Sequence, residues 1–344
     1  MGYRYSEYFI LIMLMVSFPA CKKNSNKNPG GPTVYISGYG QHGPLYWKNG
    51  VITYLPMKSP GGFAIASSIF VSDSNLYLAG TDYSGNAINA VYWKNGTEFT
   101  LTDLPGVIRS FASSIFVSGT DIYVSGYELT RDSLGTAVYW KNNVPVNLTP
   151  LTPPYPIPPT PPVITIGRYL LADYAMASSI YVSGSDVYIG GYDQFFKAAY
   201  WKNGSVTQLA DTNLISNVSS IFISGNDVYA AGWLSDSAVY WKNGSVNYLY
   251  DGLPSQAFSI FVSGNDVYVS GGEDGVARYW KNGISTLLQS GNTMASSIFV
   301  LGDDIYIAGG KNSFPVFWKN TTVSNLQLGS SVNTVATSIY VTNP

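Results

Sequence analysis

From Thr33 onward the chain carries short apolar runs, such as Ile260-Phe261-Val262 and Val239-Tyr240-Trp241, that do not alternate with polar residues. Strict alternation marks a sheet with one wet face, whereas unbroken runs mark strands buried on both faces. Gly, Asn, Asp and Lys interrupt the runs at short intervals, which predicts many brief strands joined by turns and no long helices. The runs also repeat. Tyr-Trp stands at Tyr46-Trp47, Tyr92-Trp93, Tyr139-Trp140, Tyr200-Trp201, Tyr240-Trp241 and Tyr279-Trp280, with Phe317-Trp318 as a seventh, variant copy. The Trp-to-Trp intervals are 46, 47, 61, 40, 39 and 38 residues. A second marker, clearest from Ser259 to Gly271, recurs from Ser68, Ser114, Ser179, Ser220, Ser297 and Ser338. Each unit therefore predicts four strands: in the clearest copy, A from Ser259 to Val262, B from Val267 to Ser270, C from Ala277 to Trp280 and D from Ile284 to Leu287.

Seven four-stranded units with two apolar faces each are satisfied by antiparallel sheets packed face to face around an axis. Strand A, with its Ser and Ala residues, is expected innermost, and the bulky Tyr-Trp of strand C nearer the wide periphery. The chain begins at a B-type strand, Thr33 to Gly38, and finishes at an A-type strand, Thr337 to Val341. Pairing these two ends completes one composite sheet and removes two exposed edges. The pattern over residues 33–341 resembles an all-β, seven-bladed β-propeller of four-stranded antiparallel blades. Its Tyr-Trp-Lys-Asn-Gly repeats resemble those of uncharacterised bacterial envelope propellers. Fold membership of this kind implies little about activity.

Composition narrows the functional classes. Only 11% of residues are charged and the net charge is −2, so no basic surface exists to neutralise phosphates, and nucleic acid is not an expected partner. One histidine, His42, and one cysteine, Cys21, leave no His-rich metal site, no intrachain disulfide and no nucleophile motif. No catalytic residue, metal or cofactor is assigned, and a monomer is expected.

Residues 1–21 read as a signal peptide with an apolar core from Phe9 to Val16. The segment Phe18-Pro19-Ala20-Cys21 resembles a bacterial lipobox, which implies acylation of Cys21 and attachment to the membrane by a lipid anchor. Residues 22–32, rich in Lys, Asn, Gly and Pro, read as a flexible tether, and residues 33–344 as the propeller. The expected address is the envelope of a Gram-negative bacterium, as an outer-membrane lipoprotein on either its periplasmic or its surface side.

In such a blade the A–B and C–D turns lie on one face of the disc, and the B–C and D–A connections on the other. The first set is nearly invariant among the repeats, and its Lys, Asn and Asp are read as turn chemistry. The second set varies and is the expected binding face. Immediately after the strand-B glycine stand Tyr39, Tyr127, Tyr192 and Trp233, four aromatic candidates for stacking on a sugar or gripping a peptide. Asp82, Glu128, Asp132, Asp193, Asp236, Glu273 and Asp274 lie in the same connections, with Glu128 and Asp193 placed in the expected site. A Pro-rich insertion at about residues 150–174 is a candidate lid or docking arm. The resulting expectation is a non-catalytic binding module for a glycan or an envelope protein. The alternatives are a scaffold docking another envelope protein through the Pro-rich arm, and a hydrolase or lyase using loop carboxylates on a glycan.

Overall fold

The computed structural model describes residues 30–58, 61–84, 87–131, 135–149, 165–166, 169–170, 175–210, 214–249, 252–328 and 334–343. Seven four-stranded antiparallel sheets form the blades of a seven-bladed β-propeller. Blade 1 is composite: Val335–Thr342 supplies strand A, followed by Thr33–Gly40, Gly43–Lys48 and Val51–Tyr54 as B, C and D. Blades 2 to 7 occupy residues 64–100, 107–147, 176–208, 216–248, 255–289 and 293–325. The expected closure is present, with Ile36 opposite Ile339 and Val34 opposite Val341. Outside the blades, Thr165–Ile166 pairs with Tyr169–Leu170; the prolines from Pro150 to Pro162, the signal segment and Cys21 lie outside the described residues.

The hydrophobic core lies between blades rather than within them. All seven tryptophans of strand C are buried, each packed between adjacent sheets. Three indole N–H groups also donate to the chain leaving strand D of the preceding blade: Trp93 to Pro56 O at 3.1 Å, Trp140 to Thr102 O at 2.8 Å, and Trp47 to Gln327 O at 2.7 Å. The last of these crosses the seam between blades 7 and 1. Side-chain hydroxyls stitch neighbouring A strands, for Ile115, Ile221, Ile260, Ile298 and Ile339 each donate a backbone N–H to a serine of the blade before.

The centre is less sparse than the serines and alanines of strand A suggest. Phe70, Phe116, Tyr181, Phe222, Phe261, Phe299 and Tyr340 form a closed circle, with neighbouring ring centroids 4.8–5.1 Å apart. Their interplanar angles of 46–54° bracket the roughly 51° that seven-fold rotation demands, so the rings share the symmetry of the disc.

The turns resolve the role of the repeated polar residues. In the five C–D turns that read Asn-Gly both residues have positive φ, as at Asn203 (50°) and Gly204 (83°), which is the two-residue type I′ hairpin. Lys202 pairs with Asp186 at 2.8 Å and lies over the Tyr188 ring, while Asn203 bonds both Asp186 and the Val187 N–H. The same quartet recurs in blades 3, 5, 6 and 7. These lysines are held by the fold and do not form a free cationic ring. Lys94 differs, because Asn75 occupies the place of the aspartate and bonds Asn95 instead.

The strand-B glycine is not a turn residue. Strand A bulges at its Ala-Ser step in blades 2 to 4, 6 and 7, at Val218 in blade 5, and at Thr337 in blade 1. Each bulge drives a carbonyl into the space a Cβ would need: 1.9 Å from Gly126 to Phe111 O, and 1.8–2.1 Å at Gly38, Gly80, Gly191, Gly232, Gly271 and Gly309. Only glycine fits opposite the bulge. Gly126→Ala is expected to lower the unfolding free energy by about 2–4 kcal/mol, read as a shift of the urea midpoint; a shift within error would remove this explanation of the glycine.

Candidate functional site

The variable face is built by the B–C and D–A connections, as the topology requires. Its large apolar side chains point outward: Phe63 is 40% exposed, Phe195 54% and Phe314 50%, and Ile108, Leu214, Leu253 and Met294 are comparably exposed. The outer D strands carry a second exposed set, Val51, Val144 and Ile284 among them, but on the variable face the apolar groups stand on connections that differ from blade to blade.

The four aromatic candidates are all half-buried. Two of them, Tyr39 and Tyr127, belong to a continuous system that the structure assembles from residues scattered in sequence. Tyr39 meets Phe63 edge-on at 6.2 Å, Phe63 meets Tyr83 at 5.7 Å, Tyr83 meets Phe111 at 6.3 Å, and Phe111 stacks on Tyr127 at 4.4 Å. Burial raises the Tyr83 phenol above its ordinary range, and the neighbouring Tyr127 and Tyr39 add to the rise. Burial likewise raises Tyr192, with a further contribution from Tyr127, and Tyr192 stacks on Phe196 at 5.5 Å. The belt thus runs from blade 1 to blade 3, and the Tyr192–Phe196 pair stands beyond it in blade 4. Trp233 stands in register with it in blade 5, opposite Asn217. Phe63, Tyr83, Phe111 and Phe196 were not among the sequence candidates, because they sit at different offsets from the repeat glycine and only the packing brings them to one arc.

The carboxylates behave otherwise. Successive residues of a strand face opposite sides of the sheet, so Glu128 and Asp193 cannot share a surface with Tyr127 and Tyr192. Glu128 is fully buried between blades 2 and 3, where its carboxylate accepts the Leu104 N–H at 3.2 Å. Burial pushes its pKa up to about 7; the Leu104 hydrogen bond opposes the rise and nearby Asp103 adds to it. Asp193 is buried and folds its own loop, accepting Phe195 N and Lys197 N at 2.9 Å and Gln208 Nε2 at 2.7 Å. In this arrangement both carboxylates are engaged by groups of the chain itself. Asp82 accepts from the N–H and hydroxyl of Ser84, and Glu273 pairs with Arg278 at 2.5 Å. Asp236 and Asp274 are exposed, and Asp132 lies outside the described residues. His42 is exposed in the blade 1 B–C turn, edge-on to Tyr54 at 6.2 Å. Among the described residues, no three His, Cys, Asp or Glu side chains are grouped as a metal would require.

No protein-family model matches the chain, and no curated protein matches it either. Among solved structures 149 chains match. One is a Mycobacterium tuberculosis puromycin-hydrolyzing peptidase, at 13% identity and a TM-score of 0.48, over 77% of this chain and 46% of that one. The chain therefore spans about half the length of that peptidase, and a likeness of this degree carries no activity across.

Glu128 makes the site's stability depend on pH. Its folded pKa lies above that of an unfolded glutamate, so its penalty is absent below pH 4.5, grows as the unfolded carboxylate ionises, and is complete above about pH 7. Glu128→Gln is expected to flatten the loss of stability between these pH values and to melt higher than wild type at pH 8. Parallel pH profiles for the two proteins would refute the assignment.

Proposed function

We propose that the chain is a non-catalytic binding module that recognises a protein, in preference to a glycan, through its variable face. One observation carries this reading: the face ties Glu128, Asp193, Asp82 and Glu273 into contacts with the chain's own groups, leaving Asp236 and Asp274 as exposed acids, and turns Phe63, Phe195, Phe314 and Met294 outward. A hydrolase of glycans needs carboxylates presented to substrate. A glycan site needs aromatic faces interleaved with exposed polar partners, whereas an apolar, weakly charged surface suits a protein.

Strand direction adds an orientation. Strand B of blade 1 runs from the face of the A–B turns toward the variable face, so the chain enters at Thr33 on the side opposite the candidate site. An acylated Cys21 preceding that strand would hold the variable face away from the membrane, open to a partner.

The test is a panel of envelope glycans and envelope proteins presented to the full chain. Binding is expected to fall about tenfold or more in Phe63→Ser and Phe195→Ser and to stay unchanged in Lys242→Ser on the opposite face. Equal binding by all four proteins would remove the variable face from consideration, and binding confined to glycans would replace the protein reading by the lectin one. On vesicles carrying the acylated protein, a dye at Phe195→Cys is expected to escape quenchers in the lipid headgroups, and one at Gly225→Cys to be quenched. The reverse pattern would invert the orientation.

A further inference from the structure

The position after the strand-B glycine is occupied by an aromatic ring in blades 1, 3, 4 and 5, namely Tyr39, Tyr127, Tyr192 and Trp233. In blade 2 it is Thr81, buried beside Tyr83. In blade 6 it is Gly272, and the Phe258 ring approaches to 3.9 Å of where a Cβ would stand. Blade 7 has the most open position: among the described residues Phe314 O, at 3.7 Å, is the atom within 4 Å of a Cβ on Gly310, whereas Gly272 meets both Val276 O at 3.7 Å and the Phe258 ring. A cavity of about 420 Å³ opens there, lined by Gly310, Met294, Phe314, Ser313, Thr334 and Val335 among others, none of them charged. Its volume is that of a ligand pocket. Met294 is 41% exposed and Phe314 50% exposed, so a thioether and a ring flank the opening. Thioethers and aromatic rings make favourable contacts with an added ring.

We propose that this cavity between blades 7 and 1 receives an uncharged aromatic side chain of a protein partner, which takes the place that the chain's own rings take in the other blades. The chemistry follows from the internal repeat: the fold builds the same notch around a Tyr or Trp four times over, and the neutral lining of the vacant one selects against a charged occupant. This inference rests on the variable face being the binding surface and adds the group that face would read.

The probe is N-acetyl-tryptophanamide, with N-acetyl-leucinamide as its comparison, added to the full chain labelled with ¹³C at the methionine methyl groups. The Met294 methyl resonance, identified by its loss in Met294→Leu, is expected to move upfield and saturate with the tryptophan probe, while Met57 stays in place. Gly310 has no left-handed φ, so a side chain is tolerated there, and Gly310→Tyr is expected to weaken the response at least tenfold by filling the notch. Phe314→Ser, at an exposed position, is expected to weaken it as well and serves if the first variant does not fold. An unmoved Met294, an unchanged response in a folded Gly310→Tyr, or equal competition by the leucine probe would each overturn the proposal. Panel binding that is lost in Phe63→Ser beside an unmoved Met294 would discard this cavity and keep the binding face. A responding Met294 in a protein that binds nothing on the panel would discard the face and keep the cavity.

Discussion

The pairing of Val335–Thr342 with Thr33–Gly40 joins the last strand of the chain to the first, and the other six blades depend on it. Each blade buries its two faces only against neighbours. An open stack would leave Ile36, Leu45 and Trp47 on one side, and Tyr306 and Ala308 on the other, facing water; closure buries all five in a shared cluster. The Trp47 bond to Gln327 O and the Ile339 bond to the Ser297 hydroxyl cross the same region, so the seam is held by the same contacts as any other blade junction. Long-range pairing of this type costs loop-closure entropy once and then protects every edge.

Inside each blade a second constraint sets the local geometry. The strand-A bulge lets the innermost strand follow a tight radius, and it pushes a carbonyl against strand B, where only glycine leaves room. That glycine also sets the phase of the side chains that follow. The next residue faces one neighbouring blade and the one after it faces the other. Tyr127 therefore joins the aromatic belt while Glu128 is driven between blades, and the same division separates Tyr192 from Asp193. The chemistry of the variable face follows from this alternation as much as from the residues that supply it.

Legibility from sequence differs sharply between the two levels. The seven repeats, the four strands in each, the innermost A strand and the closure of the ring follow from apolar runs and Gly-Asn punctuation, because strand formation and turn geometry are properties of contiguous residues. The strands are longer than the repeat core suggests: strand A of blade 6 runs Ser255–Ser263 rather than from Ser259 to Val262, since backbone pairing continues past the apolar residues that mark it. The roles of Lys202, Asp186 and Asn203 as turn chemistry were also readable, because the same combination recurs in the copies where it forms a quartet.

The site was read only in part. Tyr39, Tyr127 and Tyr192 stand out in sequence because they share an offset from the repeat glycine. Phe63, Tyr83 and Phe111 do not share it and come from different connections, so their contacts exist only once blades 1 to 3 are packed side by side. The inward turn of Glu128 and Asp193, the closed circle of seven rings at the axis and the vacancy over Gly310 likewise appear only in three dimensions. By itself the sequence determined the blade count, the strand order and which connections vary, since these rest on short-range pattern and on the saturation of edges. The tertiary structure decided which varied side chains face solvent and which face another blade, because that depends on the side of the sheet each one takes and on the neighbour it meets there.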